Sequence, residues 1–245
     1  MRALLVSDLH YDLRKLDWML GEAAGVDLVV VAGDLLDVGS RVPLDAQIAV
    51  VLEYLERAAL TSRTVVCSGN HDLDHRTDEG EKATAWIAEA RAGGVTVDGD
   101  TVTVGDWLVT ACAWWEGPAT LAALEASLDD VAATRTGPWM WVWHGPPEGP
   151  LSWTGSRHFG DPELPRLLAR HHPDVVLCGH IHQSPFVPGG AWAEHRDGTW
   201  LFNSGHQAGP VPAHVRLDLG RRTATWWSFD GEGAISLASG APATP

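Results

Sequence analysis

The stretch "LVVVAGDLLD", Leu28–Asp37, carries five apolar residues into a glycine and an aspartate. An unbroken apolar run, as opposed to an alternating one, suits a strand covered on both faces, as in a largely parallel sheet with helices outside it. A short turn then releases Asp34 and Asp37 at the carboxyl end of the strand, where open α/β sheets bind ligands. The design recurs along the chain. "ALLVS" leads to Asp8 and His10, "TVVCS" to Asn70, His71 and Asp72, "WMWVW" to His144, and "DVVLC" to His180 and His182.

Strand-length apolar runs are expected at residues 3–6, 28–32, 65–67, 107–113, 139–143 and 175–178. Helical periodicity falls between several of them, at 13–24, 44–60, 79–92, 120–132 and 162–170. This βαβ alternation predicts an α/β fold. Beyond residue 189 the helical pattern stops. Runs at 199–202, 214–217 and 223–228, separated by Gly, Pro and Arg turns, predict a β-meander that closes a second sheet, with a hairpin near Gly220–Arg222. No repeat or linker divides the chain, so residues 1–233 read as one domain and the small, polar stretch 234–245 as a flexible tail.

With 245 residues, 45% of them hydrophobic, the chain can bury a full core. No apolar run approaches the ~20 residues of a membrane span, and "MRALLVSDLH" turns polar too soon for a secretory leader. A cytoplasmic protein without a membrane partner is therefore expected. Cys67, Cys112 and Cys178 are far apart and lie in or beside apolar runs, which suits buried thiols better than a disulfide framework. A formal charge of −15 opposes binding to long nucleic acids, whose backbone is neutralised by Lys and Arg. Small phosphorylated substrates are still admitted, since clustered metal ions attract phosphate whatever the net charge. Trp139, Trp141 and Trp143 alternate along one strand face and read, like the pairs Trp114–Trp115 and Trp226–Trp227, as packing more than as a stacking platform. The composition fits a monomer and a homodimer equally.

Taken singly, a histidine after a strand is an ordinary surface residue, and an aspartate after a glycine is turn chemistry. Five strand ends furnished with carboxylate, amide and imidazole point instead to a shared metal site. Such ligands without thiolate suit Mn, Fe, Zn or Co better than a Ca or Mg cage.

The ordered series "DLH", "GDLLD", "GNHD", "HGPP" and "GHIH" resembles the calcineurin-like metallophosphoesterases, and it spans Asp8 to His182. The resemblance implies two packed, mixed β-sheets flanked by helices, a four-layer α-β-β-α sandwich, with two divalent transition-metal ions (Mn, Fe or Zn) at the strand ends. It implies that Asp8, His10 and His182 hold one metal, that Asn70, His144 and His180 hold the other, and that Asp34 bridges them. It further makes His71 the acid that protonates the leaving oxygen, with Asp37 placed to orient its imidazole. The nucleophile is then a metal-bridging hydroxide, and the enzyme is a phosphoric ester hydrolase.

Protein serine/threonine phosphatases of this superfamily usually carry an arginine where this chain has Val38. "GNHD" and "HGPP" look instead like the bacterial branch related to cyclic-nucleotide phosphodiesterases. The expected substrate is accordingly a small phosphodiester or a phosphomonoester, ahead of a nuclease or phosphoprotein phosphatase activity. A scaffold without turnover is disfavoured, because every ligand position is filled. The long connection Gly149–Pro165 offers Arg157 and His158 as substrate-binding candidates, and His206 in "FNSGHQAG" is a candidate at the rim.

Overall fold

The computed structural model describes residues 1–238. The first half of the chain forms β1 (Arg2–Val6), α1 (Leu13–Ala23), β2 (Leu28–Ala32), α2 (Leu44–Ala59), β3 (Arg63–Cys67), the short pair β4 (His75–Arg76) and β5 (Lys82–Ala83), β6 (Thr101–Val104), β7 (Trp107–Ala111) and α3 (Pro118–Thr134). The second half adds β8 (Trp139–Val142), α4 (Leu164–His171), β9 (Val175–Cys178), β10 (Ala193–Arg196), β11 (Thr199–Asn203), β12 (His214–Asp218), β13 (Thr223–Ser228) and β14 (Gly231–Ser236).

These strands make two six-stranded sheets, ordered β14-β13-β12-β1-β2-β3 and β10-β11-β9-β8-β7-β6. β1, β2 and β3 are mutually parallel, as are β7, β8, β9 and β11. Antiparallel strands complete both sheets.

The continuous apolar runs are explained by burial on both faces. Successive side chains of a strand point to opposite sides. Ala3 and Leu5 of β1, Leu28 and Val30 of β2, and Met140 and Val142 of β8 fill the core between the sheets. Leu4, Val6, Val29 and Val31 face the other way, onto Leu16, Met19 and Ala23 of α1 and Val51 and Leu55 of α2. Trp139, Trp141 and Trp143 share the outer face of the second sheet with Leu124 and Leu128 of α3 and Leu164, Leu167 and Leu168 of α4. They are packing residues, as their alternation predicts. The three cysteines are free and buried.

Three expectations are corrected. Residues 79–92 do not form an α-helix: β5 pairs with β4, and only Trp86–Gly93 coils, as a 3-10 segment. The Glu81 carboxylate instead accepts the Ala119 and Thr120 N–H groups at 2.9 and 2.8 Å, capping α3. The C-terminal meander joins the first sheet, because β12 pairs with β1, while β10 and β11 extend the second. The expected boundary after residue 233 falls inside β14, which runs to Ser236 and is followed by buried Leu237. The expected tail beyond residue 238 lies outside the described residues.

Candidate metal centre

The carboxyl ends of β1, β2 and β3 meet those of β8, β9 and β11, and the polar residues released there converge. Three groups of ligand atoms form: Asp8, His10, Asp34 and His182; Asp34, His144 and His180; and His10, His182 and His206. Asp34 belongs to the first and second of them, and His10 and His182 to the first and third. Within the first, His182 Nε2 lies 3.1 Å from Asp8 Oδ1 and 3.2 Å from His10 Nε2. Within the second, His144 Nε2 lies 3.3 Å from Asp34 Oδ1.

The backbone is contorted to achieve this. Asp8, His10, Asp34 and His180 all adopt left-handed conformations, with φ of 52°, 45°, 55° and 67°. Non-glycine residues reach this region at a cost, and such strain collects at functional sites. Gly69 supplies room: a Cβ there would sit 2.8 Å from His144 Nε2 and against the Asp34 carboxylate. "GNHD" thus needs its glycine so that the β3 turn can pass beside Asp34 and His144.

Hydrogen bonds from the second layer aim the rings. His144 Nδ1 is 2.7 Å from the Ala32 carbonyl and His10 Nδ1 is 3.4 Å from that of Leu36. Donation by each Nδ1–H leaves Nε2 with a free lone pair pointing into the site. Asp8 is fixed by Ser7 Oγ and by the His180 N–H at 3.1 Å. Asp72, fully buried, accepts four backbone N–H groups: Leu35 and Leu36 on Oδ1, Asp34 and Gly69 on Oδ2. It clamps the β2 and β3 turns together.

The charges are those of a cation site. Burial would raise the Asp8 carboxyl, yet its neighbours His182 and His144 hold it well below the usual range. Burial would lower His144, but Asp34 and Asp8 push it up to about 9. Burial and His144 together push His180 down to about 4. Two buried carboxylates therefore draw on imidazoles for positive charge. Asn70 Oδ1 is a buried acceptor without a hydrogen-bond partner. An unpaired acceptor of this kind fits a metal ion as its missing partner.

Other candidates are placed less centrally. The His71 ring lies 4.8 Å from that of His10, and its backbone N–H donates to Asp34 Oδ1 at 2.9 Å. Its Nδ1 is buried and unpaired. No hydrogen bond joins Asp37 to His71; the Asp37 carboxylate accepts the Gly39 N–H at 2.8 Å in its own turn. His158 is held by the Gly149 carbonyl at 3.0 Å and packs on Trp153, so it braces its loop. Arg157 places its guanidinium 4.1 Å from the Phe159 ring centre. His206 does reach the centre, stacked on His182 at 4.6 Å with Nδ1 2.8 Å from the Asp8 carbonyl.

Two neighbours escape sequence reasoning. Lys15 of α1 is buried, with Nζ 3.3 Å from His206 Nδ1, but nothing in "LRKLDW" separates it from a surface lysine. The Trp114 ring lies 5.5 Å from His144 and 5.3 Å from His180, forming one wall of the centre.

A family model described as calcineurin-like phosphoesterase matches residues 1–184. The structure is similar to TT1561 of Thermus thermophilus, with a TM-score of 0.60 and 16% identity, covering 96% of this chain and 98% of that one. It is also similar to the purple acid phosphatase PPD1 of yellow lupin (Lupinus luteus) seeds, with a TM-score of 0.54 and 12% identity over 98% of this chain and 52% of that one. At these identities the likeness is one of fold. No curated protein matches the sequence. No helix among the described residues is long and apolar enough to cross a membrane. The chain belongs to the calcineurin-like phosphoesterases, a family of metal-dependent phosphoric ester hydrolases.

Proposed function

We propose that the protein is a dinuclear phosphoesterase that hydrolyses a small phosphodiester, such as a cyclic nucleotide, or a phosphomonoester. The observation that carries this reading is the sharing of Asp34 between two clusters of ligand atoms. Asp8, His10 and His182 would hold one ion and Asn70, His144 and His180 the other, with Asp34 common to both. The nitrogen-rich donor set favours Mn, Fe or Zn. Two divalent ions there would supply Lewis acidity toward the phosphoryl oxygens and a water activated to hydroxide.

The chain's own groups would do the rest. His71, half-buried beside His10, is positioned to give a proton to the departing oxygen. Its place is tied to the shared carboxylate through its backbone N–H, so proton donor and metal centre stay in register. Trp114 shields His144 and His180 from water on one side. The charge of −15 speaks against a polymer-tracking nuclease. The buried free cysteines fit a reducing compartment such as the cytoplasm.

The test is to strip the protein of metal and assay it with Mn, Fe, Zn or Mg against an aryl phosphomonoester, an aryl phosphodiester, and 2′,3′- and 3′,5′-cyclic nucleotides. Metal-restored hydrolysis of at least one is expected. Absence of turnover from protein that retains two tightly bound ions would overturn the reading. His71→Asn should slow esters with poor leaving groups by about 10²–10⁴. Undiminished turnover of such esters would remove His71 from the proton-transfer role.

A further inference from the structure

Beside the metal centre lies a cleft of about 210 Å³, with Trp114, Trp115, Phe159 and Gly145 on its walls and His180 at its inner end. It opens directly off the ligands: Gly145 follows His144 in the chain, and His180 lines both the cleft and the second ligand cluster. Its volume is below the ~300 Å³ at which pockets begin to hold drug-sized ligands. A single flat ring system fits that size.

The walls are held rigidly. Asp161 Oδ2 accepts the indole N–H groups of Trp115 and Trp143, each at 3.0 Å, while Oδ1 accepts the Glu163 and Leu164 N–H groups at 2.8 and 3.1 Å. Trp114 is tied to the Glu116 carboxylate by its indole N–H at 2.9 Å. Phe159 is 44% exposed, unusual for so large an apolar side chain, and the Arg157 guanidinium lies over its ring. Walls already fixed in place save the ordering cost of binding. The acidic lining, Glu116 and Asp161, disfavours a second phosphate, and the Glu116 oxygen that Trp114 leaves free can accept from a ring bearing N–H donors.

We propose that this cleft is a specificity subsite that takes the planar aromatic group of the phosphoester whose phosphoryl group is held at the metal centre, stacking it against Phe159 and the Trp114–Trp115 wall. The inference rests on the phosphoesterase reading for the location of the phosphoryl group. It adds that aryl or nucleoside phosphoesters are preferred over alkyl ones. Arg157 then acts indirectly, by covering Phe159.

The experiment measures binding by calorimetry on the metal-loaded protein, so that no turnover is required, using methyl phosphate, phenyl phosphate, adenosine 5′-monophosphate and adenosine. Phenyl phosphate or adenosine 5′-monophosphate should bind at least about tenfold more tightly than methyl phosphate, the scale of one stacking contact. Which of the two is tighter identifies an aryl or a nucleoside substrate. Phe159→Ala should remove most of that preference. Gly145→Ala should do the same by narrowing the cleft, since its methyl would sit 3.5 Å from the Trp114 ring and Asp161 without overlap. Equal affinity for aromatic and methyl esters, or a preference untouched in both folded variants, would overturn the subsite. Adenosine binding that depends on Phe159, in protein that neither binds nor hydrolyses any phosphate ester, would support the cleft while refuting the phosphoesterase reading.

Discussion

Asp72 provides the sharpest stability test. Its carboxylate accepts N–H groups from Asp34, Leu35, Leu36 and Gly69 at 2.8–3.0 Å. Burial and the Asp34 carboxylate raise it, whereas its backbone donors favour the anion. The donors decide, because a carboxyl proton would meet only N–H groups and find no acceptor among them. Asp72→Asn keeps the shape but replaces one oxygen with an NH₂ that faces two N–H groups. Two orphaned buried donors cost about 1–3 kcal/mol each. Deleting a buried charge offsets part of this, leaving an expected loss of about 3 kcal/mol. Out of a total of about 5–15 kcal/mol, the variant still folds. Urea denaturation of the metal-free protein at neutral pH reads the difference, and a lowered midpoint with unchanged slope is expected. A loss under about 1 kcal/mol would refute the clamp as a stabilising device.

Two further outcomes follow from the same structure. Adding Mn or Zn at about a hundredfold over its Kd should stabilise the protein by about 2.7 kcal/mol per occupied site. Asp34→Asn, which removes the shared carboxylate, should reduce that thermal shift and abolish turnover together; a full shift in the variant would show that Asp34 is not a ligand. His214, packed between Trp18 and Trp227, is lowered by burial, so the folded chain binds fewer protons than the unfolded one once pH drops below about 6.5. Stability contributed by its neutral form is lost as pH falls through that region, and His214→Phe should make unfolding free energy less steep between pH 7 and 5. An identical slope in both proteins would refute the assignment.

The clustering of carboxylates and imidazoles was legible because each member follows a strand whose apolar run is itself conspicuous, and parallel strands must bring their carboxyl ends to one edge. Asp8, Asp34, His144 and His180 are there for that reason. What was hidden depends on contacts between segments far apart. Asp72 reads as the last residue of a motif, and only the fold shows that three of its four donors come from the β2 turn. Asp37 follows its strand as the other motif residues do, but its carboxylate turns back onto the Gly39 N–H of its own turn instead of reaching His71. The residue 79–92 pattern is apolar enough for a helix, yet Glu81 is drawn off to cap α3. Trp114 looks like Trp226, and its place against His144 and His180 comes from a loop whose path has no periodicity.

The pairing of β1 with β12 has a consequence for how the chain acquires its structure. Ala3 lies opposite Leu28 on one side and opposite Leu217 on the other. During vectorial synthesis β1 and β2 emerge early, but the other edge of β1 waits for more than two hundred residues to follow. Contacts of such separation slow folding, because loop closure must precede them. The nascent chain therefore carries an open, apolar strand edge until the meander arrives, while on its other side Asp8 and His10 can already donate their N–H groups to the Gly33 and Asp34 carbonyls of the β2 turn.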